Sequence, residues 1–193
     1  MERIYLDNAS TSFPKAPGVA DAVYHYISDC GCNINRGGYD EAYQAEETVL
    51  HTRQLLAELF HGPDCRNVVI TRNITESLNV LLKGFLTPGD HVLVSTMEHN
   101  AVMRPLTQLQ SQGVTFDRIP CAPDGTLDTA AMEGLLRPET RAVVMLHASN
   151  VCGTVLLAGE VGAFCHAHGL KFILDTAQKR IVPIRGHAVE TTA

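Results

Sequence analysis

Short β-branched runs alternate with stretches of helical periodicity along most of this chain, and that alternation constrains the fold more than any other feature. The runs are Asn67–Thr71, His91–Ser95, Val114–Ile119, Ala142–Leu146 and Lys171–Asp175. Each has strand length and is rich in Val, Ile, Leu and Phe. Between them, Glu41–Phe60 sets Val49, Leu50, Leu56, Leu59 and Phe60 at helical spacing. Further helices are expected over Thr75–Phe85, Asn100–Gln112, Asp128–Arg137 and Gly159–His168. Thr87-Pro88-Gly89-Asp90 and Pro123-Asp124-Gly125 are turn sequences, and Gly113 and Gly169 fall where helices should end. Repeated strand–helix–strand units imply parallel pairing with right-handed crossovers. The expected class is therefore α/β: a mostly parallel sheet with helices on both faces.

Residues 1–40 depart from this rhythm and read as an N-terminal arm. Arg3–Asp7 is a candidate short strand and Pro17–Ser28 a candidate helix, followed by the polar loop Asn33–Gly38. Residues 41–178 form the main domain, and 179–193 form an atypical tail.

Composition narrows the function. The 193 residues are 45% hydrophobic and 19% charged, enough to build a core and too little charge for charge-driven disorder. Net charge is −6 with no basic run, which argues against nucleic-acid binding. No apolar stretch reaches the roughly 20 residues that cross a bilayer. Asp7, Asn8 and Pro14 interrupt the segment where an export signal would need an apolar run, so a cytoplasmic location is expected. Six scattered cysteines read as reduced thiols, and Cys30-Gly31-Cys32 lacks the spacing of a metal knuckle. No metal site is expected.

In an open parallel sheet, ligands bind beyond the carboxyl ends of the strands. The residues just after each run are therefore the informative ones. Arg72-Asn73-Ile74-Thr75-Glu76-Ser77 opens a helix whose free N–H groups suit a phosphate, with Thr75 either adding a hydroxyl or only capping the helix. Met97-Glu98-His99-Asn100 places His99 where it can stack on a planar ligand, move a proton, or simply start a helix. Asn150 lies in a polar loop after the fourth run and can donate to an oxygen. Asp175 ends the last run. It is costly to bury without a partner such as a protonated ring nitrogen, unless it caps the next turn. Phosphate, flat ring, phenolic oxygen and ring nitrogen together describe pyridoxal 5′-phosphate. A nucleotide-binding domain is disfavoured, because no GxGxxG or GxxxxGK[ST] follows a strand.

Six segments carry a family resemblance. They are Leu6-Asp7-Asn8-Ala9-Ser10-Thr11, Asn35-Arg36-Gly37-Gly38, Asn73-Ile74-Thr75-Glu76-Ser77-Leu78-Asn79, Met97-Glu98-His99-Asn100, Ala148–Thr154 and Leu174-Asp175-Thr176-Ala177-Gln178. In this order they resemble the class V aminotransferases of fold-type I, in the cysteine desulfurase and selenocysteine lyase branch. The resemblance implies an incomplete fold-type I large domain that binds pyridoxal phosphate. It implies Ile74 and Thr75 at the phosphate, His99 as the stacking catalytic ring, Asn150 and Gln178 at the phenolic oxygen, and Asp175 at the ring nitrogen. Asn8 and Arg36 would lie near a cysteine-like amino-acid substrate. It also implies a homodimer and the removal of sulfur from cysteine, leaving alanine and a persulfide on the enzyme.

The chain departs from that pattern in several places. The family's Schiff-base lysine follows the Asp by about two dozen residues in a Ser-Gly-His-Lys type motif. Here the lysines are Lys15, Lys83, Lys171 and Lys179, none of them in that context, and Gly186-His187-Ala188 is an accidental echo of the motif that has Ala in the lysine's place and lies too near Asp175. None of the six cysteines matches the persulfide loop. Tyr39 stands where relatives often have His, and the residues after Gln178 are offset from the family. Two readings result. One is a desulfurase-like protein present as its N-terminal cofactor-binding portion and inactive alone. The other is a non-catalytic remnant or interaction module that binds the cofactor without turnover.

Overall fold

The computed structural model describes residues 4–5 and 10–178, in two compact units, Met1–Val68 and Val69–Ala193. In the first unit, Gly18 takes the left-handed conformation (φ 83°) and starts α1, Val19–His25. The helix loosens into a π-helical turn, Tyr26–Cys30, that stops at left-handed Gly31. Together these fill the helix expected over Pro17–Ser28. In the loop that comes next, a Cβ on Gly37 would lie 2.0 Å from the Tyr39 ring, so only glycine allows that approach. The loop leads into α2, Asp40–Leu59, with Asp40 and Glu41 in its first turn, where the helix dipole favours negative charge. The candidate strand Arg3–Asp7 lies mostly outside the described residues.

The second unit holds the sheet. Its strands are β1 (His91–Ser95), β2 (Thr115–Ile119), β3 (Thr140–Leu146) and β4 (Lys171–Asp175). All are parallel, in the order β2-β1-β3-β4. The helices are α3 (Ile74–Phe85), α4 (Asn100–Gln110), the short α5 (Met132–Leu135) and α6 (Ala158–His168). The pleat sorts the side chains into two cores. Val92, Val94, Ala142, Val144 and Ile173 pack with Leu78 and Leu82 of α3 and Val102, Leu106 and Leu109 of α4. Leu93, Val143, Met145 and Phe172 pack on the opposite face with Met132 of α5 and Val161 and Cys165 of α6. The two central strands are buried on both faces, which is why they read as continuous apolar runs.

Two expectations need correction. Asn67–Thr71 is not a strand: a 3₁₀ turn covers Cys65–Asn67, and the residues from Val68 to Thr71 join no sheet among the described residues. Val69 and Ile70 are correspondingly exposed, at 73% and 54%. The helix expected over Asp128–Arg137 is a 3₁₀ turn at Thr129–Ala131 followed by the single turn of α5. Gly134 weakens it, and Pro138 disfavours helical backbone at Arg137. The Thr87–Asp90 turn forms as read: Asp90 N–H donates to the Thr87 carbonyl, and the Asp90 carboxylate accepts from both the N–H and the hydroxyl of Thr87.

From β1 the chain steps outward to β2, then returns to the other side of β1 to form β3. That reversal opens a crevice at the carboxyl ends of β1 and β3.

Candidate functional site

The crevice is an open cleft of about 370 Å³, lined by Ile74, His99, Leu146, Ala148, Asn150, Asp175, Ala177 and Gln178. Its lining comes from the start of α3, the start of α4, the ends of β3 and β4, and the loops after them.

Asn73 positions the first element. Its backbone is extended, and its side chain accepts the Glu76 N–H at 2.9 Å, making it the helix cap in place of Thr75. Arg72 reinforces the turn by pairing with Glu76, with guanidinium–carboxylate contacts of 2.8 and 3.1 Å. Thr75 is the second helical residue, exposed, and outside the cleft lining. The N–H groups of Ile74 and Thr75 precede the first intrahelical bond, from Ser77 N–H to the Asn73 carbonyl.

His99 caps α4. Its Nδ1 accepts the Ala101 N–H at 3.1 Å, which places the hydrogen of a neutral ring on Nε2. Sequence reading offered stacking, proton transfer or an idle helix start. The imidazole caps the helix as an Asn or Ser would, and the exposed residue borders the cleft.

Asn150 stands on a hydrogen-bonded loop. Ser149 Oγ accepts the N–H groups of Val151 and Cys152, Ser149 N–H donates to Thr154 O, and Thr154 Oγ1 donates to Asp124 O at 2.9 Å. Gly125 is required beneath it: its φ is +85°, and a Cβ there would meet Thr154 Oγ1 at 2.8 Å. In the same loop, hydrogen bonding from Ser149 and Thr154 brings the exposed Cys152 thiol down to about 7.

Asp175 is 7% exposed. Oδ1 accepts the Ala177 N–H at 2.9 Å, so it does cap the next turn, and Oδ2 takes no hydrogen bond from the described residues. Gln178 is half-buried on the same rim. Arg36 is exposed on the loop before α2 and belongs to the first unit. Asn8 lies outside the described residues. Thus Ile74, His99, Asn150, Asp175 and Gln178 share one cleft, and Thr75 sits beside it.

Sequence reading missed Glu98. Its Oε1 accepts the Ser95 hydroxyl at 2.5 Å and the Leu146 N–H at 2.9 Å, joining the tips of β1 and β3 beneath the cleft. Its Oε2 is buried without a hydrogen bond. Burial pushes this carboxyl up to about 7. The Ser95 and Leu146 hydrogen bonds oppose the shift, and the charge of Asp175 adds to it. The only sequence signal was its place in Met97-Glu98-His99-Asn100, where a loop glutamate ordinarily reads as solvated.

No group of three or more His, Cys, Asp or Glu side chains among the described residues is arranged to hold a metal ion. No helix among them is long and apolar enough to cross a membrane.

Comparison with known proteins shows the family. Residues 4–182 match the model of the aminotransferase class-V family. A probable cysteine desulfurase of Vibrio cholerae is 33% identical over 180 residues, covering 91% of this chain and 44% of that protein. The solved structure of SspA in complex with cysteine matches with a TM-score of 0.81 at 25% identity, over 89% of this chain and 50% of that one. A C-DES mutant with glycine covalently linked to its PLP cofactor matches with a TM-score of 0.66 at 27% identity, over 82% and 42%. The chain spans about half, or less, of each of these proteins.

Proposed function

Because the chain belongs to the class V aminotransferase family, and within it is related to the cysteine desulfurases, we propose that it is a pyridoxal-phosphate-binding portion of a desulfurase-like protein. The supporting observation is the convergence of Ile74, His99, Asn150, Asp175 and Gln178 on one cleft at the switch point of the sheet.

The donor set fits the coenzyme. The first N–H groups of α3, with the Thr75 hydroxyl, offer an anion seat for the phosphate. His99 supplies a flat ring whose outward Nε2–H can hold or pass a proton. Asn150 and Gln178 carry amides suited to a phenolic oxygen. Asp175, nearly buried, suits a protonated ring nitrogen, and such a pair gains strength from the low local dielectric. When bound, the coenzyme supplies the electron sink for reactions at an amino acid's α-carbon. On this reading Asn8 and Arg36 serve the substrate amino acid, and cysteine is the favoured substrate class.

A second reading has its own observation. No lysine among the described residues lines the cleft, and none of the chain's four lysines stands in the family's lysine motif. On that basis the chain by itself binds without turnover.

Titrating the full chain with pyridoxine 5′-phosphate tests the binding, since this analogue cannot form a Schiff base with stray amines. Saturable one-to-one binding that D175N weakens is expected. Adding pyridoxal phosphate and L-cysteine and assaying sulfide and alanine then tests turnover by the chain alone. No product is expected; product formation would overturn the non-catalytic reading and the inactivity of the isolated portion, and absence of binding would overturn both readings.

A further inference from the structure

The buried carboxyl of Glu98 has no assigned task, and its surroundings are unusually one-sided. Both donors, the Ser95 hydroxyl from β1 and the Leu146 N–H from β3, go to Oε1. Among the described residues, Oε2 is sealed from solvent and accepts nothing. From β4, the charge of Asp175 acts on it. No cation among the described residues is among the groups acting on it. Ser95 is itself buried, and its oxygen also accepts the Met97 N–H at 3.2 Å. His99 comes directly after Glu98 in the chain.

An ionised carboxylate needs donors on both oxygens when it is out of water. Here one oxygen would carry unsolvated charge beside a second acid. A neutral carboxylic acid keeps both Oε1 contacts and avoids that repulsion.

We propose that Glu98 is a positioning residue that acts as a neutral acid: it ties the tips of β1 and β3 together, fixes the stem that carries His99, and leaves Asp175 as the only negative charge among the described residues that line the cleft. This deepens the cofactor-binding proposal and rests on it only for the ligand that the cleft takes. Protonated, Glu98 holds the Met97–His99 stem against β3. Ionised, it repels Asp175 and loosens the stem. The competent fraction therefore falls as pH rises through 7.

Two measurements on the full chain test this. In the first, ¹³C-carboxyl NMR of the glutamate-labelled protein without ligand follows Glu98 directly. One glutamate titrating near 7 is expected, absent in E98Q, with its midpoint moved upward in S95A, which loses a donor to Oε1. In the second, pyridoxine 5′-phosphate affinity is measured from pH 6 to pH 8 for wild type and E98Q. The analogue's own titration cancels in the ratio of the two. The amide of E98Q mimics the neutral acid, so the proteins should bind alike at pH 6. By pH 8 wild type should be up to about tenfold weaker than E98Q, as its competent fraction falls to about one tenth.

A Glu98 midpoint in the ordinary carboxylate range would overturn the proposal. So would weaker binding by E98Q at pH 6, because that variant should rescue the neutral form. If neither protein binds the analogue at any pH, the cofactor reading fails while the NMR titration still decides the state of Glu98.

Discussion

The two ends of the sheet place buried polar groups in different company. At the amino end, His91 is fully buried, with Nδ1 2.8 Å from Thr140 Oγ1 and Nε2 3.3 Å from Asp117 Oδ2. The latter contact is an attraction without hydrogen-bond geometry. Thr140 Oγ1 accepts the Arg137 N–H at 2.8 Å, and Arg137 Nη2 meets Asp117 at 2.5 Å. The network joins β1, β2 and β3, and its one open atom among the described residues, His91 Nε2, is buried without a hydrogen bond beside the Asp117 carboxylate. At the carboxyl end, Glu98 and Asp175 each have an oxygen that takes no hydrogen bond from the described residues, and the first N–H groups of α3 precede the helix's own bonding. Networks that run across strands hold them together, and groups at an open cleft can receive a ligand.

Breaking the amino end should have the largest effect on stability. H91A removes a buried ring and takes from the Thr140 hydroxyl its histidine partner, leaving only the Arg137 N–H, so a loss of about 3 kcal/mol is expected in chemical denaturation. The protein that remains folded should keep its affinity for pyridoxine 5′-phosphate within about twofold, since the change lies at the far end of β1.

The pH dependence should carry opposite signs at the two ends. Glu98 has a folded pKa raised to about 7 from 4.5. The native state therefore holds the proton that the unfolded chain gives up, and stability falls as pH rises from 4.5 to 7. The span is worth about 3 kcal/mol. Burial lowers the folded pKa of His91 below 6.5, with the Arg137 charge acting in the same direction. There the unfolded chain binds the proton first, so stability falls as pH drops below 6.5. Urea midpoints measured from pH 5 to 8 should rise toward a plateau in E98Q, where only the histidine contribution remains. They should fall with pH in H91A. Parallel profiles in the two variants would contradict the assignment of opposite signs.

Smaller effects should come from the open end. D175N keeps the Oδ1 cap on Ala177 but loses the charge, so about tenfold weaker analogue binding is expected with little change in unfolding temperature. N73A removes the α3 cap and should cost about 1 kcal/mol, with weaker binding of the phosphate moiety by calorimetry.

The fold was readable wherever local pattern and burial agreed. Val92–Val94 and Val143–Met145 are apolar on both faces, which is what a central parallel strand requires. Asn67–Thr71 has the same β-branched character, yet a strand is a property of a pair, and no single run encodes its neighbour. His99, Asn150 and Asp175 were visible because polar residues just after apolar runs mark the open end of such a sheet. The choice between Asn73 and Thr75 as cap was not visible, since both can cap and the decision rests on the extended backbone at Asn73. Glu98 was hidden for a different reason. Its burial comes from Ser95 and Leu146 meeting across two strands that are distant in sequence.

The most direct test of the cleft is amide NMR of the full chain during titration with pyridoxine 5′-phosphate. Saturable shifts concentrated at Ile74, Thr75, His99, Asn150 and Asp175, with His91, Asp117 and Thr140 unmoved, are the expected result. Shifts centred on the amino end of the sheet, or scattered over surface residues without saturation, would contradict the account.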